Sequence, residues 1–561
     1  MNRKIITASG ITVVAVIAAA FFIFSLSNNT SQVSDTQVQI QKTENPTIRI
    51  LDTKTIPNAT DPSFGVDHKT GIIYASYYKG TGHTFGTWES ETANVYMMKS
   101  SDDGKTFSSP IQVNDKDGDA SPGGYTNPIQ IGPSGEVFIA WQQVEEHPQF
   151  FGIYNIRLAK SIDGGTSFNP TVDPGKNLPA SEKLYPELAV SGQGTILIPY
   201  INNEFATIKL GNNTQIAYNT DSVDLVTQMP VLRSVDGGAT FEQFILDKES
   251  CQCCDIASTV GPDGEAYFVW RTSDREFTAP NDPTNKHIQY LNNNTKESYL
   301  EFLDDTGKTL YEQGKIDLPV EYSTARDIVV SHTTDGGKGL EWSETIRVQE
   351  TKWMYNGCPS VGPGISFDSQ GRLHVSYFTG VGEDGKMGYY HVYSDDKGQT
   401  FSEPNALFSA EYVTLVHNGA TLTVDKNNNV WVAFVTLKDY GTTDNIWASD
   451  KEYPMVLNVL ALDRSGKMLD KKTFDLDAHA TPNIAITMGP NSGVTCNVDS
   501  SSCGPDQFAL SSSSPIPRIL IWTSTGSSDI KDDVKCWSSP ISVWTSVSDN
   551  TDSSFWVAEI S

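Results

Sequence analysis

The chain has 561 residues, including 44 Gly and 28 Pro, with 10% aromatic residues and a formal net charge of -28. That length exceeds one ordinary compact core, so a repeat whose units bury their surfaces against one another is expected. The acidity argues against nucleic acid and anionic membrane surfaces as partners, and the Gly-, Pro- and aromatic-rich mix suits short strands joined by tight turns.

Arg3 and Lys4 precede an uncharged, mostly apolar run from Ile5 to Leu26, long enough to cross a bilayer at about 20 residues. Ala18, Ala19 and Ala20 also give it the small residues of a signal peptide. Two fates therefore stand for residues 1–26: a retained single-pass anchor in the cell membrane, or a cleaved leader and secretion. The positive flank puts the remainder outside in either case. Residues 27–46 are rich in Ser, Asn, Thr and Gln and read as a flexible stalk. Sequons at Asn28, Asn29, Asn58, Asn212 and Asn293 are compatible with that location.

From residue 47 onward a short motif recurs: Ser100-Ser-Asp102-Asp-Gly104-Lys-Thr106-Phe107, then Ser161 to Phe168, Ser234 to Phe241 and Ser394 to Phe401. A looser copy runs from Thr333 through Asp335 and Gly337 to Trp342, and a relic from Asp463 to Gly466. Physically the motif is a hairpin turn. Its Asp accepts bonds from turn amides, its Gly takes a conformation other residues resist, and its aromatic plugs between strands. The pattern S-x-D-x-G-x-[ST]-F resembles the Asp box, or BNR repeat, of sialidases and related β-propellers. The resemblance implies an all-β propeller of four-stranded blades, with the box between the third and fourth strand of a blade. It carries no catalysis.

Between the boxes a second repeat reads as the first two strands of each blade: Asp61 to Tyr77, Asn127 to Trp141, Tyr185 to Tyr200, Cys254 to Trp270, Cys358 to Tyr377 and Asn418 to Phe434. A seventh blade follows from Pro482–Ile486, Arg518–Trp522 and Phe555–Ile560, with Ile48–Leu51 from the N-terminus supplying its outermost strand. Such closure removes two exposed sheet edges. Six blades plus a C-terminal cap is the alternative. Insertions are expected at about 272–325 and 487–517.

In this register the Asp boxes share the bottom of the ring, and the loops that enter each blade share the top. The top gathers Cys251, Cys253, Cys254 and Asp255 before the fourth blade, Cys358 before the fifth, and Arg271, Arg326 and Asp327 around the long 272–325 connection, a candidate flap. His417 and His479 lie at the tops of the next two. The constellation C-x-C-C-D, R-D-I, G-C-P, within residues 245–380, resembles that of exported Asp-box propellers. It implies a shared top-face site without naming its chemistry.

In an oxidising compartment four close cysteines imply two disulfides, with Cys358 bridged to Cys253 or Cys254. A soft-metal site for Cu(I) or Zn built from Cys251, Cys253, Cys254 and Cys358 is the other reading. Cys496 and Cys503 are expected to pair, leaving Cys536. Asp255, Arg271, Arg326 and Asp327 are the candidate catalytic set, although Arg326 and Asp327 also suit a structural ion pair. Asp115, Asp117 and Asp119 could serve calcium or simply form a solvated turn.

Three functions follow. One is a surface propeller that binds a glycan or cell-surface protein through its top face. The second is a glycoside hydrolase of the sialidase type. The resemblance to sialidases implies three arginines on the sugar carboxylate, a Tyr–Glu nucleophile pair and an Asp acid/base. The F/Y-R-I-P motif of that group is absent here; Thr47-Ile-Arg49-Ile-Leu51 has the Arg without the Pro. The third is a metal or redox protein centred on the cysteines.

Overall fold

A computed structural model describes residues 48–57, 59–85, 90–121, 127–147, 150–179, 181–204, 206–210, 213–217, 227–252, 254–274, 324–355, 359–382, 385–416, 419–442, 453–476, 484–488, 494–496, 508–510, 518–525 and 552–560. Every element among them is a strand. None of them is a helix long and apolar enough to cross a membrane, and the apolar run 5–26 lies outside the described residues.

The strands form a β-propeller. Six sheets are four-stranded, the number of the six-blade alternative, and one further sheet is five-stranded. In chain order the innermost strands are Ala59–Asp67, Ile129–Ile131, Ala189–Val190, Ala257–Val260, Gly364–Phe367, Thr421–Val424 and Ile484–Met488. Each lies beside the next, and Ile484–Met488 returns against Ala59–Asp67. The five-stranded sheet is second: Ile129–Ile131, Val137–His147 and Phe150–Ser161 are extended by Ser181–Leu184 and Ile201–Glu204.

The last sheet joins the two ends of the chain. Its strands are Ile484–Met488, Arg518–Thr525, Asp552–Ile560 and, outermost, Ile48–Pro57. Ile48 stands opposite Ile560 and Pro57 opposite Asp552. Ile48 N–H also donates to Asp470 Oδ2 of the sixth sheet at 2.6 Å.

The second strand of a sheet is buried on both faces, which is why Ala266–Arg271, Leu373–Thr379 and Val430–Leu437 are rich in apolar and aromatic residues, with His374, Ser376 and Thr436 buried among them. The outermost strands face solvent on one side, as Glu242–Asp247 shows.

Each full Asp box is satisfied from within. In the first sheet Ser100 Oγ donates to Asp102 Oδ1 at 2.8 Å and accepts from Gly104 N–H at 2.9 Å. Thr106 gives its N–H and its hydroxyl to the two Asp102 oxygens at 2.8 and 2.7 Å. The same bonds recur at Asp163, Asp236 and Asp396. Gly104, Gly165, Gly238 and Gly398 all have φ between 74° and 93°, the left-handed region that glycine occupies without strain. Bonds from the Ser167 and Thr240 hydroxyls and amides hold Asp163 and Asp236 below the ordinary carboxylate range.

The looser box substitutes its parts. Glu265 replaces the missing Ser, accepting from Gly337 N–H at 2.7 Å and from the Thr333 hydroxyl. Asp335 accepts from Gly339, Leu340 and Glu341 N–H at 3.0, 2.7 and 3.1 Å.

The Ile48–Pro57 strand makes a truncation test direct. Removing residues 1–55 is expected to lower the melting temperature by several degrees, since it strips a strand from the last sheet and exposes an edge. Removing residues 1–40 should leave it unchanged. Equal melting of the two truncations in a thermal scan would contradict the pairing.

Candidate functional site

Above the fourth sheet the connecting chain builds a second, smaller layer. Ser250 bridges to Thr272, and Asp274 bridges to Ala325, so the insertion leaves and returns side by side. Thr324–Ala325 then pairs with Met354–Tyr355. Cys251 N–H donates to Arg271 O at 2.9 Å, Thr272 N–H to Asp327 O at 2.9 Å and Arg326 N–H to Trp353 O at 2.8 Å. These main-chain bonds fix the side chains that matter.

The structure brings Cys251, Cys254, Arg271 and Arg326 together. All four are buried: 0%, 1%, 1% and 7% exposed. The Arg271 guanidinium is taken up by main-chain carbonyls of its own sheet and the next. Nη1 donates to Arg326 O at 2.5 Å, Nη2 to Phe378 O at 2.7 Å, and Nε and Nη2 to Val361 O at 3.3 and 3.2 Å. The Trp353 ring lies 5.2 Å from its Cζ. Removing the side chain would strand buried acceptors at roughly 1–3 kcal/mol each. Arg271 therefore ties the fourth sheet to the fifth. Burial lowers its pKa, and the thiols of Cys254 and Cys251 act in the opposite sense.

Cys251 and Cys254 are thiols. The expected bridge from Cys358 to Cys253 or Cys254 involves residues outside the described ones. Cys253 and Cys358 lie outside the described residues, as do His417, His479, Cys503 and Cys536. Burial pushes the Cys254 thiol well up, helped by the adjacent Cys251, against a smaller opposing pull from Arg271 and Arg326. A soft metal needs thiolates, and this environment favours the protonated form. Among the described residues no group of three His, Cys, Asp or Glu is placed to hold a metal. At the other loop considered, Asp115 Oδ2 accepts from Thr171 N–H at 3.0 Å, Asp117 Oδ1 from Asn94 at 2.6 Å and Asp119 Oδ1 from Asn114 at 3.0 Å.

Asp255 turns toward the innermost strands. Its Oδ1 is buried without a hydrogen-bond partner. Gly362 of the fifth sheet makes room for it: a Cβ there would stand 2.7 Å from Asp255 Cβ. Burial, then the nearby Cys251, raises Asp255 to about 7. Burial also raises Glu187 to about 7, against bonds from Leu188 N–H and the Ser258 hydroxyl and with added repulsion from Asp255.

Asp327 is buried as well. It is 1% exposed, accepts from the Thr351 hydroxyl at 2.7 Å and pairs with Arg347 Nε at 3.4 Å. Arg347 also pairs with Asp274. These ion pairs border a polar cleft of about 250 Å³ lined by Asp247, Glu249, Thr272, Asp274, Val329, Thr345 and Arg347. Asp247 is oriented by Trp270 Nε1, which donates to its Oδ2 at 2.6 Å. Sequence reasoning missed Asp247, Asp274 and Arg347. The available signal was their position at strand ends that emerge at the top, beside the Arg326-Asp327 step.

No family model matches the chain, and no curated protein matches it. Among solved structures it resembles a protein of unknown function from Dyadobacter fermentans at 15% identity and a TM-score of 0.38, over 69% of this chain and 94% of that one. A Hadza microbial sialidase is 13% identical with a TM-score of 0.38, over 67% of this chain and 63% of that one. A polysaccharide lyase, an ulvan lyase, is 13% identical with a TM-score of 0.40, over 78% and 89%. At these values the likeness carries no argument about activity.

The raised carboxyls give a pH test. Folded Asp255 holds its proton more tightly than an ordinary aspartate at 3.8, so ionising it costs stability. That cost is absent below the ordinary value, grows up to about pH 7 and is constant above it. Asp255→Asn removes it. The variant's melting temperature should gain on the parent's between about pH 4 and 7, then run parallel. Parallel curves across the whole range would show that Asp255 is not held protonated.

Proposed function

We propose that this chain is a membrane-tethered, extracytoplasmic propeller that binds a small neutral glycan through its top face, in the cleft between the third and fourth sheets. The composition of the cleft carries the reading. Three carboxylates, Asp247, Glu249 and Asp274, and two hydroxyls, Thr272 and Thr345, line a space of about 250 Å³. Its one guanidinium, Arg347, is already engaged by Asp274 and Asp327. Sugar hydroxyls can donate to such a wall, whereas the carboxylate of a sialoside meets net negative charge.

The same geometry weighs against hydrolysis of the sialidase type. A carboxylate clamp needs guanidinium donors that reach the ligand, and those of Arg271 end on carbonyls. The tether and the location outside the cell rest on residues 1–46 alone, with Arg3 and Lys4 ahead of the apolar run.

Titration calorimetry against neutral oligosaccharides and sialyllactose tests the reading. Binding is expected for a neutral glycan and not for the sialoside, with no sialoside turnover. Thr345 is exposed at the rim, so Thr345→Trp should fill the cleft and weaken binding at least about tenfold at an unchanged melting temperature. Undiminished binding by Thr345→Trp would move the site elsewhere. Sialoside turnover lost in Arg271→Ala or Arg326→Ala would replace binding with catalysis.

A further inference from the structure

Among the described residues the three most exposed large apolar side chains are Ile162, Val235 and Leu340, at 72%, 65% and 65%. Ile162 and Val235 stand between the Ser and the Asp of their boxes, and Leu340 stands five residues after Asp335 in the looser box. Each stands on the turn that follows the third strand of its sheet, in the second, third and fourth sheets respectively. That turn is on the Asp-box face, opposite the cleft.

The turn does not require an apolar residue there. Its bonds run through Ser161 and Asp163, through Ser234 and Asp236, and through Asp335. In the first and fifth sheets the position of Ile162 and Val235 is filled by Ser101 and Asp395, and Asp395 is paired with Arg372. Among the described residues these three turns carry the most exposed apolar side chains of the face; Met468, beside the Asp463 turn of the sixth sheet, is 39% exposed.

The polypeptide enters the ring on this same face. Ile48 pairs with Ile560, where the third strand of the last sheet ends, and bonds Asp470 near the start of the sixth sheet's outermost strand. Both points lie at the level of the Asp-box turns. The last sheet neighbours the sixth and the first, so the tether's point of entry and the apolar tips of sheets two to four occupy different arcs of one face. Only 21 residues separate Leu26 from Ile48.

We infer that the Asp-box face rests on a lipid bilayer, with Ile162, Val235 and Leu340 entering the interface and the cleft directed away from it. The inference rests on the reading of Ile5 to Leu26 as a retained anchor. A short tether keeps the tips at high local concentration near the bilayer, so weak insertion by three aliphatic side chains suffices. With a net charge of -28 the chain suits a zwitterionic surface and not an anionic one.

Photocrosslinking of the full chain in phosphatidylcholine nanodiscs tests it. The probe p-benzoylphenylalanine replaces Ile162, Val235 or Leu340 in turn, or Val381, which is 42% exposed at the top of the fifth sheet. Mass spectrometry is expected to find a lipid adduct at each of the first three positions and none at Val381. Co-elution with the discs but no adduct at the three tips overturns the docking and leaves the anchor standing. An adduct at Val381, or crosslinks between two copies of the chain at the tips, also overturns it. Failure to co-elute with the discs overturns the anchor and the docking with it.

Discussion

The packing of apolar side chains between neighbouring sheets is the constraint that shapes the rest. Most apolar clusters among the described residues are shared by neighbours: Tyr267 and Val269 of the fourth sheet pack with Leu373 and Val375 of the fifth. Phe138 and Ile156 of the second pack with Ile196 and Ile198 of the third, and Tyr389 of the fifth stacks on Phe434 of the sixth with centroids 4.2 Å apart. A sheet removed from its neighbours would expose both faces. Neighbouring sheets support one another in this way, and Ile48 joins the cluster around Trp431 and Leu457.

The seams between sheets are closed differently on the two faces. On the Asp-box face the turns satisfy themselves, and where a box has decayed another contact takes over. The relic around Asp463 has lost its Ser and its aromatic, but Asp463 still accepts from Ser465 and Lys467 N–H at 2.8 and 3.0 Å. Its Arg464 reaches across the seam to Asp368 of the fifth sheet. Asp368, held low at about 2 by bonds from His374, Arg464 and Arg372 that overcome the effect of burial, sits beside a buried histidine pair. His374 Nδ1 and His391 Nε2 are 3.1 Å apart, and burial lowers both pKa values. Two neutral rings can share one N–H at that spacing; two cations cannot. The seam is polar because the turn that usually seals it is incomplete.

Much of this was legible in the sequence, for a definite reason. The Asp box writes a whole turn in eight adjacent residues, so Ser100 to Phe107 announces its own bonds. The buried second strands announce themselves as apolar runs, as in Val430–Leu437. The gathering of Cys251, Cys254, Arg271 and Arg326 followed from strand order alone. Their roles did not. Arg271 is defined by carbonyls at Val361 and Phe378, on a different sheet, and a carbonyl has no signature in sequence. Arg347 looked like an ordinary strand residue because its partners, Asp274 and Asp327, come from either side of the long insertion.

The top of the fourth sheet therefore divides its polar groups by depth. In the inner layer burial pushes up the Cys254 thiol, carbonyls close off the Arg271 guanidinium, and burial raises the Asp255 carboxyl toward neutrality. Such groups are expensive to disturb and offer little to a ligand. A few residues outward the same strands present Asp247, Thr272, Asp274 and Arg347 to an open cleft. The main chain links the two layers directly, since Cys251 bonds Arg271 O while Thr272 bonds both Glu249 O and Asp327 O. The inner layer thus acts as the rigid backing that fixes the outer one. A rigid backing reduces the ordering cost of any binding at the outer layer, and under the proposed reading the cluster of cysteines and arginines would act as that backing without touching the ligand.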